Sequence, residues 1–289
     1  MSFRTPFHDL LSPQGALRQA YYGSEPLILR QAASVEGLPT SAEIDRLIDA
    51  SLLRWPYFTV FQDGVRPEQA EVTTSRSLLG HEVDGFVRPE GVRRQLAAGA
   101  TCKLSQIEDW HRFTRDQIDE LHELFPAEVT AFLFLTPEGK RGMLPHRDAS
   151  RVMVIQLEGA KEWHLFHDPA HENPDAGLDV DPATEVGSFV LEPGDVLYLP
   201  HAYGHAASAV GQTSLHVTFT LSEPTPDALV DALVAEWIDA GRLAALNEDA
   251  PLGATAKLHA VADDLARFAV DTGSLVTRAL ADGRARDLS

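Results

Sequence analysis

"LPHRDASRVMVIQLEGAKEWHLF", Leu144 through Phe166, places His146 and Asp148 two residues apart, then an apolar run, a glycine and Lys161. The runs RVMVIQLE and KEWHLFH read as β-strands, with Gly159 turning the chain between them. Working outward, VTAFLFLT upstream and GSFVLE, DVLYLP and SLHVTFTL downstream are further short β-rich runs separated by turn residues. Glu192–Asp195, EPGD, has Pro then Gly at its central positions, the signature of a type II turn between strands. The near-continuous apolar character of these runs predicts strands covered on both faces, one by a barrel interior and the other by helices. Short strands at this spacing predict a sandwich or barrel.

The flanks differ. SAEIDRLIDASLL offers Ser41 as N-cap and Ile44, Leu47, Ile48 and Leu52 at helical spacing. TRDQIDELHELF offers Thr114 as cap, with Ile118, Leu121 and Leu124 on one face. Past Glu223 the stretches PDALVDALVAEWIDAGRL and AKLHAVADDLARFAVDTGSLVTRAL carry helical apolar stripes. The expected organisation is an N-terminal α/β segment over 1–125, a mainly β core over 126–223 and a helical module over 224–289.

With 289 residues, 44% of them hydrophobic, the chain can bury one large core. Its formal charge of −19 argues against a nucleic-acid binder, which needs a cationic face. That charge keeps a protein in solution, and it also suits a basic partner. Cys102 is the single cysteine, so neither an intrachain disulfide nor a cysteine metal cluster is available. The first residues lack the apolar run of a signal peptide, and no stretch approaches the roughly 20 apolar residues of a membrane span. A soluble, cytoplasmic protein without membrane contact is the expectation.

Alternate residues of a strand share a face, so His146 and Asp148 can aim an imidazole and a carboxylate at one point. A third ligand is available in YLPHAYGHAA, where His201 and His205 both compete. Two histidines and a carboxylate leave open positions on a metal, as in non-haem Fe(II) oxygenases. Ser214, His216 and Thr218 alternate with Leu215, Val217 and Phe219, so one set is expected to face the barrel interior near the metal; Ser214 and His216 are candidates to line the pocket, and His216 is equally a candidate hydrogen-bonded core histidine. Arg147 should point the other way, into a salt bridge. His164, His167 and His171 fall in or beside an acidic loop that lacks the register of a calcium site. No G-x-S-x-G elbow supports a serine hydrolase.

Taken together, HRDASRVMVIQLEGAKEWHLF, LEPGDVLYLPHAYGHAA and SLHVTFTL resemble the JmjC-type, cupin-like 2-oxoglutarate oxygenases, nearest the ribosomal oxygenases. YYGSEPLILR and GATCKLSQIEDW look like the segments that precede that family's catalytic domain. The resemblance implies a double-stranded β-helix core with flanking helices. It implies Fe(II) on His146, Asp148 and His205, the last because the family's distal histidine follows the EPGD-strand proline, here Pro200, by five residues. It implies that Lys161, fifteen residues after His146, holds the far carboxylate of 2-oxoglutarate, with Trp163 and Leu165 as walls and His216 lining the pocket. Phe134 stands where the family has a co-substrate-binding tyrosine, and Thr136 or Thr218 is the available substitute. The implied reaction uses Fe(II), 2-oxoglutarate and O2 to hydroxylate a side chain in a protein or peptide. A methyl-lysine demethylase, a hydroxylase of a small biosynthetic molecule and a non-catalytic metal-binding cupin are the competing readings. The family's helical dimerisation region has a counterpart in the C-terminal helices, but about 65 residues leave no room for a full winged helix.

Overall fold

The computed structural model describes residues 15–166, 176–248, 253–268 and 271–287. Among them are ten strands: β1 (Leu27–Leu29), β2 (Phe58–Phe61), β3 (Thr73–Leu78), β4 (His81–Val87), β5 (Thr101–Ser105), β6 (Glu128–Thr136), β7 (Arg151–Phe166), β8 (Glu185–Leu191), β9 (Val196–Leu199) and β10 (Gly204–Ser222). Eight form one sheet in the order β1-β9-β7-β10-β6-β5-β2, with β8 also paired to β7. β3 and β4 make a separate hairpin. The pairs β1–β9, β9–β7, β7–β10, β6–β5, β5–β2 and β7–β8 are antiparallel, and sequence-distant strands become neighbours. The chain divides into two compact units, Met1–Leu124 with Val129–Ser222, and Phe125–Glu128 with Glu223–Ser289.

β7 and β10 organise the first unit. They run 16 and 19 residues, against a usual strand of about 5–6. β10 accompanies β7 along one edge. On the other edge β9 pairs with Val152–Ile155 and β8 with Lys161–Phe166, so β7 changes partner midway. EPGD spans the change: Asp195 N–H donates to the Glu192 carbonyl at 2.9 Å, and Gly194 takes φ +91°. The predicted turn is present, but it joins two strands lying end to end against β7 rather than ladder partners.

Gly159 departs from expectation. It does not reverse the chain; β7 passes through it with φ +65°. A Cβ there would stand 2.2 Å from the carbonyl oxygen of Thr213 on β10. Positive φ is compatible with a tight turn or a kinked strand alike, and the distant backbone that decides between them is invisible locally. Gly159→Ala meets both penalties and is expected to lower stability by roughly 3 kcal/mol. An unchanged thermal midpoint would contradict this close approach.

Apolar side chains fill both faces. Val152–Leu157 are all buried, as are all four residues of β2 and of β9. The two predicted N-terminal helices start slightly away from their expected caps. One spans Ser41–Ala50 with Thr40 as N-cap, in a capping box with Glu43, because Thr40 is the residue with extended backbone. Ile44 and Ile48 are buried, whereas Leu52 lies beyond the helix and is exposed. The other starts at Arg112; His111 Nδ1 accepts from the Thr114 N–H, so Thr114 is already inside the first turn.

The second unit holds helices Pro226–Asp239, Arg242–Glu248, Ala254–Arg267 and Thr272–Asp287. The longer apolar stripe of the sequence is thus split, with Asp271 accepting from the Ser274 N–H at the new start. Arg278 bonds Glu236 at 3.1 Å and Asp239 at 2.7 Å, and the Trp237 indole donates to Asp264 at 2.8 Å. Among the described residues no helix is long and apolar enough to cross a membrane.

Candidate metal centre and its cavity

His146 precedes β7 in a short extended piece and His205 is the second residue of β10. They face each other across an antiparallel bridge: His146 N–H donates to the His205 carbonyl at 3.0 Å, and His205 N–H to the His146 carbonyl at 2.9 Å. Backbone pairing therefore sets the imidazoles side by side, with ring centroids 4.3 Å apart. Each ring is oriented by the same device. His146 Nδ1 lies 2.9 Å from the Leu144 carbonyl and His205 Nδ1 lies 2.9 Å from the Tyr203 carbonyl. A carbonyl can only accept, so Nδ1 carries the proton and Nε2 presents its lone pair.

Asp148 completes the set. Its Oδ2 is 3.6 Å from His205 Nε2, and one donor atom from each of the three residues falls within 4.8 Å of the others. Burial first, and His205 second, hold the pKa of His146 well below the ordinary imidazole value. Its imidazole is accordingly neutral and available as a ligand. Two oriented imidazole nitrogens and one carboxylate fit a divalent first-row metal, with further positions left for exogenous ligands. The donor set chooses His205; His201 is exposed, in the preceding turn, outside this group.

Arg147, between the two ligands, turns away as expected. Its backbone pairs with Gly177 and its buried guanidinium bonds Asp179 Oδ1 at 2.8 Å. That contact holds the Asp179 carboxyl below the usual carboxylate range. The ligand-bearing segment is thus fastened on both edges, to β10 through His146 and to Gly177 through Arg147. His167 and His171 lie outside the described residues.

A cavity of about 240 Å³ opens beside the triad, lined in part by Lys161, Trp163, His216, Thr218, Phe134 and Val152. Lys161 is 3% exposed. Its ammonium donates to Thr136 Oγ1 at 3.1 Å and stands 3.4 Å from His216 Nδ1. Burial pushes its pKa down to about 7. His216, pushed far lower by burial and by Lys161, is neutral and accepts through Nδ1. Phe134 stacks on His216 at 4.9 Å and 8°. The phenyl ring thus keeps the wall but brings no hydroxyl, whereas Thr136 supplies one directly to Lys161. Trp163 stacks on His205 at 5.8 Å. Leu165 packs with Trp163 in the apolar cluster behind.

Ser214 is placed apart from this wall. Its hydroxyl accepts from the Gln156 amide at 2.9 Å, between the two long strands. Register shifts at Val210–Leu215 and Leu215–His216 interrupt the two-residue period there. Ser214 therefore does not follow His216 and Thr218 into the cavity. Sequence reading missed Lys103 of β5 and Arg66 after β2, which also line it. Their only advance signal is scarcity: the chain has four lysines, and two of them face one cavity.

Thr136 is expected to act through Lys161. Thr136→Val removes the hydroxyl shared by Lys161 and Thr101, whose Oγ1 lies 3.0 Å away. A lost buried hydrogen bond of about 1–2 kcal/mol predicts roughly tenfold weaker binding of an anion at Lys161 with the metal site intact. Titration of 2-oxoglutarate into metal-loaded protein measures it.

Fold and donor set together define a cupin-type barrel with a two-histidine, one-carboxylate site. Residues 107–229 match the model of the JmjC domain family. It is 27% identical over 213 residues to the bifunctional lysine-specific demethylase and histidyl-hydroxylase NO66 of Aedes aegypti, covering 70% of this chain and 32% of that protein. It is 28% identical over 203 residues to ribosomal oxygenase 1 of Danio rerio, covering 67% of this chain and 36% of that protein. The chain thus spans about a third of the length of these curated relatives. Among solved structures, YcfD of Escherichia coli superimposes with a TM-score of 0.59 at 17% identity, over 89% of this chain and 68% of that one. A YcfD structure described as a ribosomal oxygenase with cobalt and 2-oxoglutarate gives 0.50 at 17% identity, over 75% and 53%. At these identities the structures speak for the fold: a JmjC/cupin core, as the strand pattern implies.

Proposed function

We propose that the protein is an Fe(II)- and 2-oxoglutarate-dependent oxygenase that hydroxylates a carbon of a side chain in a protein or peptide. The observation that carries this reading is a buried lysine in the same cavity as a preformed metal triad. The triad fits Fe(II), and Lys161 fits the far carboxylate of a keto diacid whose other end chelates the metal. Relatives named as ribosomal oxygenase and histidyl-hydroxylase support the protein-substrate class.

When bound, Fe(II) with 2-oxoglutarate and O2 supplies the oxidising power, yielding succinate and CO2 and placing one oxygen atom in a substrate C–H bond. The chain's own part is orientation and shielding. The Leu144 and Tyr203 carbonyls fix the tautomers of His146 and His205. Lys161, steadied by Thr136 and by neutral His216, holds the co-substrate by a charge-assisted hydrogen bond that offsets carboxylate desolvation. Trp163, Phe134 and Val152 keep water from the walls.

A second reading, methyl-lysine demethylation, draws support from the Aedes relative's name and uses the same cofactors. One experiment separates the two. Protein supplied with Fe(II), 2-oxoglutarate and O2 is incubated with cell lysate, with succinate, formaldehyde and oxygen addition (+16 Da, about one oxygen atom) followed. Hydroxylation gives succinate and a stable heavier product without formaldehyde; demethylation gives formaldehyde. Succinate no higher than in a His205→Ala control would refute the oxygenase proposal.

A further inference from the structure

Two cations of the cavity have no role in the scheme above. The Lys103 ammonium lies 4.1 Å from the ring centroid of Phe132 and 5.6 Å from that of Phe134. Among the described residues it makes no hydrogen bond or ion pair. Arg66, itself exposed to solvent, lines the same cavity with its guanidinium 5.8 Å from the Trp55 ring, and among the described residues it is likewise without an anionic partner. Aromatic faces attract a cation but accept none of its N–H bonds in the manner of an oxygen. The partly buried Lys103 ammonium therefore keeps unspent donors beside the metal triad, with the exposed Arg66 guanidinium at the same cavity.

Their setting sharpens the demand. Among the described residues Asp148 is the only carboxylate in the cavity wall, and it is one of the three metal donors. Its charge is felt by Lys103, as is the opposing charge of Arg66, but no contact is made. The chain has 43 acidic residues, yet none of those described has been brought to neutralise this pair. Nor does the co-substrate account for them. Lys161 takes that carboxylate, and the stacked Phe134–His216 pair connects the two lysines as a partition: Phe134 faces Lys103 while His216 touches Lys161.

We propose that Lys103 and Arg66 receive a carboxylate of the primary substrate, so that the group presented to the metal is acidic and not an arginine or a methylated lysine. This rests on the oxygenase reading and narrows it. A cationic side chain entering here would meet Lys103, Arg66 and Lys161 with a single, metal-committed carboxylate to offset them.

The test is a binding series on protein loaded with Mn(II) and 2-oxoglutarate under nitrogen, read by ligand-observed NMR. The probes are the N-acetyl amides of glutamate, glutamine and arginine. Charge-assisted pairing predicts that the glutamate probe binds about tenfold or more tightly than the glutamine probe, with the arginine probe weakest. The preference should vanish in Lys103→Met/Arg66→Met, and Lys103→Glu should turn it towards the arginine probe. Equal binding of the three by the wild-type protein overturns the proposal, and that comparison stands even if a variant fails to fold. A preference that survives the double variant overturns it too, by assigning the probe to another part of the cavity. Failure of the oxygenase reading looks different: no 2-oxoglutarate binding, while the carboxylate preference and its dependence on Lys103 remain.

Discussion

Lys161→Met is expected to make the ligand-free protein more stable while removing its capacity for 2-oxoglutarate. The ammonium is buried against a hydroxyl and an imidazole, with no carboxylate in contact among the described residues. Burial lowers its pKa from 10.5 to about 7. The unfolded chain therefore binds more protons than the folded one between about pH 7 and 10.5, and stability rises with pH across that window. The penalty is fully present below the folded pKa and relieved as pH approaches the unfolded value. Methionine has similar length and no charge, so the substitution should recover on the order of 3 kcal/mol at about pH 6 and almost nothing near pH 10. Thermal melts of wild type and variant across that range measure it; a gain that does not shrink with rising pH would contradict the buried, unpaired ammonium. The same variant leaves the co-substrate carboxylate without a partner, which predicts at least about 100-fold weaker 2-oxoglutarate binding. Wild-type affinity should itself fall as pH climbs past about 7, since the protonated lysine is the binding form. Calorimetry in buffers of different ionisation enthalpy should accordingly detect proton uptake.

The opposing behaviour of one residue towards fold and ligand reflects how local sequence reading succeeds here. His146, Asp148 and Lys161 lie within sixteen residues of one another, so spacing and strand alternation find them together. His205 needs the resemblance, because His201 has equal standing until the bridge to His146 is seen. Lys103 on β5 and Arg66 in the loop after β2 arrive from far upstream, brought to the cavity by β5–β6 and β2–β5 pairing that no local pattern encodes. Ser214 escapes local reading for the complementary reason: alternation is a rule for regular strands, and a register shift sits beside it. Gly159 shows the same limit, since the carbonyl that a Cβ would meet there lies more than fifty residues away. The electrostatics divide similarly. The chain as a whole carries a net charge of −19, while the cavity gathers Lys103, Arg66 and Lys161 around one carboxylate. Composition describes the outside of the molecule; the site is an exception that only packing reveals.

The largest effect on activity is expected at the triad, and the informative comparison is between two histidines four residues apart. His205→Ala removes an Nε2 donor while leaving intact the backbone bonds that pair this residue with His146. Folding should survive, because the antiparallel bridge needs no side chain. Loss of a partner that merely orients a ligand costs about 10–100-fold in metal affinity, so deleting a ligand should cost at least ~100-fold and turnover with it. His146→Ala and Asp148→Ala should match it, with Asp148→Ala also withdrawing the only carboxylate among the described residues of the cavity and leaving three cations around the metal position. His201→Ala should retain metal and activity, since that exposed side chain is outside the donor group. Metal content after dialysis, circular dichroism and succinate production together decide the matter. Should His201→Ala strip the metal while His205→Ala retains it, the donor set drawn here would be wrong, and with it the identity of the strand that brings the second histidine to the iron.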